Sequence, residues 1–167
     1  MKDIRFAPRK SFEQMLKYTV IPTFDLVLEQ EGRGVIFGKR KIPPYKGKWA
    51  LPGLRMLKSE GINDTLERIA KQEVGANINP DERVFLGQYV GKFRTEHNRQ
   101  DLSTGYYLRV PYEEKIVMNP QHFSDIAVTR KLPEHTGAMY AFYFQKYVEL
   151  KRLAERVAKA VGYRFKT

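Results

Sequence analysis

The amino-acid sequence predicts an α+β fold, an α/β/α sandwich around a mixed β-sheet, and three patterns predict it. Strand-like segments lie on both sides of a central helical repeat, that repeat is amphipathic, and a second amphipathic repeat lies toward the C-terminus. The chain's 167 residues, 42 % of them apolar, suffice for one compact core. We expect one domain over residues 1–167, with an N-terminal extension over about 1–16 and a C-terminal amphipathic helix over about 137–161.

The elements follow in chain order. From Tyr18 to Glu29 the run YTVIPTFDLVLE is β-branched and aromatic; EGRG then supplies turn chemistry before VIFGKR, so the segment reads as a hairpin. A helix is expected from about Ser59 to Val74, where Ile62, Leu66, Ile69 and Ala70 recur at helical spacing. Ser59 is its expected N-cap and Gly75 its stop. Arg83–Phe93 and Ser103–Tyr112 read as strands joined by the polar loop RTEHNRQDL, and Asp125–Thr129 as a short further strand. In the last segment Phe144, Tyr147, Leu150, Leu153, Val157 and Val161 mark one apolar helix face, packed on the sheet or on a partner.

Composition narrows the function classes. With no cysteine, thiolate metal ligation and cysteine nucleophilic catalysis are excluded, so any metal is held by oxygen or imidazole. A net charge of +11, from 30 Lys and Arg against 19 Asp and Glu, invites an anionic partner. The basic residues are spread along the chain rather than interleaved with aromatics, which makes nucleic acid the less favoured partner. The opening MKDIRFAPRK has no apolar signal stretch, and no run approaches the roughly 20 apolar residues of a membrane span. We expect a cytoplasmic protein without membrane contact.

Two positions carry chemistry on their own terms. Asp25 lies within an apolar strand, where an acid is costly unless it is paired or bound to substrate. Glu73 ends the central helix just before Gly75 and offers one carboxylate to a hard divalent cation, which takes one or two carboxylates plus phosphate oxygens. Holding two or three ions on a diphosphate needs more negative charge than this helix provides.

The stretch from Gly53 to Ala76 resembles the Nudix box: glycine, five residues, Glu, seven residues, then Arg-Glu-x-x-Glu-Glu-x-Gly. Glu60, Arg68, Glu73 and Gly75 are in register, whereas the box glycine is Leu54 and two helix glutamates are Ile69 and Gln72. The resemblance implies a Nudix fold and a Glu60–Arg68 salt bridge that braces the loop. A narrower similarity, to the GDP-mannose mannosyl hydrolase branch, runs through FDLVLEQEGRGVIFGKR, GKWALPGLR and the pair Gln121-His122. That branch also keeps a single metal-binding glutamate.

The resemblance implies one Mg²⁺, with Mn²⁺ as a substitute, on the Gly53 carbonyl, Glu73 and Gln121, and His122 as the base. It further implies that Arg40 and Arg55 act on the diphosphate, and that Asp25, Arg40, Arg68 and Tyr106 contact or orient substrate. A sugar-contacting histidine of that branch falls on Gly91 here, with Lys92 and His97 nearby. The expected reaction is hydrolysis of a nucleotide sugar, GDP-mannose or a related GDP-hexose, by water attack at the anomeric carbon. Two alternatives stand beside it: a Nudix pyrophosphohydrolase attacking phosphorus, and a catalytically silent Nudix domain that binds nucleotide or RNA. The resemblance and the last helix together suggest a homodimer.

Overall fold

A computed structural model describes residues 7–94 and 98–162. Its elements are α1 (Arg9–Tyr18), β1 (Val20–Gln30), β2 (Gly34–Arg40), β3 (Trp49–Ala50), β4 (Gly53–Arg55), α2 (Ile62–Val74), a 3₁₀ turn (Pro80–Glu82), β5 (Val84–Lys92), β6 (Gln100–Val110), β7 (Phe123–Thr129) and α3 (Ala138–Ala160). The sheet runs β3-β2-β1-β6-β5, with β4 added to β1 and β7 to β2. Strand β1 pairs in parallel with β6 and antiparallel with β2 and β4, so the sheet is mixed as expected.

Side chains alternate across the sheet and divide the core in two. Phe24, Leu26, Leu28, Tyr106 and Leu108 pack against Leu66, Ile69, Ala70 and Val74 of α2. Val27, Val35 and Phe37 pack on the opposite face against Met139, Tyr140, Tyr143, Phe144 and Tyr147 of α3. One helix on each face makes the α/β/α sandwich.

Several expectations shift in detail. Helix α2 starts at Ile62 with Gly61 as N-cap, not Ser59. The Asp64 carboxylate accepts the Gly61 N–H at 2.7 Å, and Ser59 takes a positive φ of 74° within the loop, which leaves it no capping role. Gly75 ends the helix as expected, in the left-handed region at φ 68°, where a side chain is disfavoured. Strand β6 starts at Gln100, ahead of the expected Ser103, because its parallel pairing with β1 extends to Val20↔Gln100. The N-terminal extension contains a helix whose one buried residue is Leu16. Among the described residues no helix is long and apolar enough to cross a membrane.

Candidate active site

A cleft of about 1030 Å³ opens between the end of α2, the β4 segment, the loop before β7 and the start of α3. Asp25, Arg40, Gly53, Arg55, Arg68, Glu73, Gln121 and His122 all line it. The structure therefore gathers every predicted site residue except Tyr106. That residue corrects the expectation: its ring is buried on the α2 face, stacked on Phe24 at 6.0 Å. Along β6, Asp101 and Ser103 face the cleft side, and the two-residue period turns Tyr106 to the other face.

The Glu73 end of the cleft is assembled by helix termination. The last carbonyls of α2 have no partner within the helix. The loop between β6 and β7 supplies them: Val117 N–H donates to the Val74 carbonyl and Asn119 N–H to the Glu73 carbonyl, each at 2.9 Å. Asn119 also donates from its side chain to Glu73 Oε1 at 3.1 Å. This docking carries His122 to the helix, where its Nδ1 lies 2.8 and 3.0 Å from the two Glu73 oxygens. Glu73 is 1 % exposed, and these contacts are what allow a carboxylate to sit so deep. Lys41 fastens the loop from the other side, its N–H on the His122 carbonyl and its Nζ on the Pro120 carbonyl, both at 2.8 Å.

The predicted brace is present. Arg68 Nη2 donates to Glu60 Oε2 and to the Arg55 carbonyl, both at 2.8 Å, while its Nε takes the second Glu60 oxygen. Arg40 is similarly occupied, with Nε on the Pro44 carbonyl at 2.7 Å and Nη2 on the Pro43 carbonyl at 3.1 Å. Both arginines line the cleft while much of their donor capacity holds its walls.

The floor carries a second buried acid. Burial pushes the Asp25 carboxyl up to about 7, against the lowering effects of the Ser103 hydrogen bond and of Arg40. Ser103 Oγ donates to Asp25 Oδ2 at 2.5 Å and lies 2.9 Å from the Tyr143 hydroxyl. Gly53 faces Asp25 across the β1–β4 pairing, and a Cβ there would fall 2.1 Å from Asp25 Oδ1. Only glycine lets β4 approach so closely. Asp101, bound by Arg99 at 2.6 and 2.8 Å, adds a third acid to the cleft side.

The position where the resemblance placed a histidine is occupied differently here. A Cβ on Gly91 would meet the Phe93 ring at 2.7 Å, and that ring packs edge-on against Tyr45 with centroids 5.5 Å apart. An aromatic thus fills the space beside residue 91. His97 lies outside the described residues. The sequence reading missed Asn119, the Arg99–Asp101 pair and Phe12 of α1, for which neither periodicity nor spacing offers a signal.

The NUDIX domain family model matches residues 20–143. The chain belongs to the Nudix family. A sequence relative, the low-salt glycan biosynthesis protein Agl8 of Haloferax volcanii, is 28 % identical over 120 residues, covering 69 % of this chain and 74 % of that protein. Among solved structures, a MutT NUDIX hydrolase from Burkholderia pseudomallei superposes with a TM-score of 0.67 at 15 % identity, over 77 % of this chain and 98 % of that one. The NUDIX domain of Shewanella oneidensis NrtR, crystallised with ADP ribose, gives 0.64 at 16 % identity, over 86 % and 92 %. These two similarities establish the Nudix fold.

Proposed function

We propose that this Nudix protein hydrolyses a nucleotide sugar, GDP-mannose or a related GDP-hexose, to a nucleoside diphosphate and the free sugar. The observation that carries the reading is the Glu73–His122 contact, at 2.8 Å, beside an α2 that places Ile69 and Gln72 where further box carboxylates would stand. Among the described residues no group of three or more acids, histidines or cysteines is arranged to hold a metal. That supports a centre of one ion rather than the multi-ion chemistry of attack at phosphorus.

The donors fit one hard cation, since the Glu73 carboxylate, the Gly53 carbonyl and the Gln121 amide are oxygen ligands on the same cleft. Bound there, Mg²⁺ or Mn²⁺ supplies charge neutralisation to the departing diphosphate. The protein's own part is proton transfer and orientation. A carboxylate only accepts, so the neutral His122 ring carries its proton on Nδ1, toward Glu73, and keeps a lone pair on Nε2. Nε2 takes a proton from water as the water oxygen bonds to the anomeric carbon. The bond from that carbon to the diphosphate oxygen breaks, and its electron pair leaves with the diphosphate. Arg55 faces that charge while Arg40 and Arg68 hold the walls. Similarity to a protein named for glycan biosynthesis supports a sugar-bearing substrate.

A panel of nucleotide sugars turned over with Mg²⁺ in ¹⁸O water tests the reading. Label in the released sugar is the expected result. Label in phosphate would assign attack at phosphorus, and binding without turnover would leave a silent binding domain.

A further inference from the structure

Helix α1 precedes the matched Nudix region, yet it brings an aromatic ring into the cleft. Phe12 lines the cleft, and the Arg55 guanidinium lies 3.9 Å from its ring centroid. The other cleft arginines differ: Arg68 is bound by Glu60, Arg99 by Asp101 and Arg40 by loop carbonyls. For Arg55, among the described residues, the Phe12 ring is the contact shown, with neither a carboxylate nor a carbonyl on its guanidinium. Arg55 lines the cleft together with Arg68 and Arg99. A guanidinium gathered with two others and without a carboxylate of its own marks a place for a multiply charged anion.

The mode of contact matters. A salt bridge would consume N–H donors; a ring contact on the guanidinium carbon holds the group in place without consuming them. Leu16 is the one buried residue of α1, and Phe12 is half-buried at the cleft.

We infer that Phe12 is a positioning residue for the diphosphate of the substrate: its ring holds the Arg55 guanidinium so that the N–H donors meet the diphosphate oxygens. The nature of the ligand rests on the nucleotide-sugar reading above; the contact itself does not.

The test measures binding to the full chain, by calorimetry with GDP and Mg²⁺ and again with inorganic pyrophosphate. Phe12→Ala is expected to weaken both ligands about three- to ten-fold, and Arg55→Gln about ten- to a hundred-fold. Phe12→Ala added to Arg55→Gln should cost nothing further, and Phe12→Trp should restore binding, with melting temperatures confirming that each variant is folded. Wild-type affinity in Phe12→Ala, losses that multiply in the double variant, or no binding of either probe by the wild type would overturn the inference. If the pattern holds but no nucleotide sugar is turned over, the hydrolase reading falls while this contact stands. If sugar is released and the Phe12 variants bind as wild type, the reverse is true.

Discussion

Replacing Glu60 by Gln tests the brace beneath the cleft. The Glu60 carboxylate accepts from Arg68 Nε and Nη2, from the Leu57 N–H at 2.8 Å and from Thr65 Oγ1 at 3.0 Å. Side-chain exposures of 3 % for Glu60 and 12 % for Arg68 place the pair well inside the protein. Gln keeps one acceptor oxygen but turns an NH₂ donor toward groups that are themselves donors, and it leaves Arg68 without its counter-charge. Breaking a buried pair in this way costs about 3–5 kcal/mol. At roughly 2–4 °C per kcal/mol for a chain of this size, the melting temperature should fall by about 6–20 °C at pH 7.

The same pair has a pH signature. Burial pushes the Glu60 carboxyl up, but Arg68, the Leu57 N–H and Thr65 together hold it below the ordinary carboxylate value of 4.5. Its contribution is therefore full above pH 4.5 and is lost as pH falls through the lower folded value. Calorimetric melts of both proteins from pH 7 downward should show the gap closing on acidification. A variant that melts within about 2 °C of wild type at pH 7, or a gap that stays constant with pH, would refute the reasoning.

Other outcomes follow from the cleft. Glu73→Gln should reduce turnover of a nucleotide sugar more than a hundred-fold, on the order of the cost of losing a charged catalytic contact, with the circular-dichroism spectrum unchanged. Asp25→Asn keeps the acceptor for Ser103 and removes a buried acid whose pKa is about 7 in the fold. Because the folded protein then binds more protons than the unfolded chain between about 4 and 7, wild-type stability falls as pH rises through that window. Thermal melts of the metal-free Asn variant should lack that fall, so the variant gains relative to wild type at pH 8. Tyr106→Phe should leave kcat and KM within about two-fold of wild type, since the ring lies in the core rather than the cleft.

Much of the architecture is legible in local chemistry. β-Branched runs, the EGRG turn and the helical spacing of Leu66, Ile69 and Ala70 act through nearest neighbours, so the hairpin, α2 and its Gly75 stop can be read directly from the chain. The box register likewise places Glu60 opposite Arg68, because the loop and helix that join them are contiguous. The details that shifted had two sources. Ser59 lost the cap to a local competitor, since Asp64 serves Gly61, whereas the start of β6 was set by β1, far away in sequence. Tyr106 was misplaced for a related reason: which face a strand residue occupies depends on a register that the intervening loop hides.

The sequence by itself determined the Nudix assignment, the strand and helix order, and the single carboxylate that ends α2, since each is a property of contiguous residues. Only the tertiary structure decided what that carboxylate touches. The unpaired carbonyls at the end of α2 draw the 117–122 loop across the helix terminus, and this brings His122 and Asn119 onto Glu73. Packing of α1 sets Phe12 against Arg55 in the same way. Both contacts arise from satisfying backbone and side-chain groups across separate elements, a demand that no local pattern records.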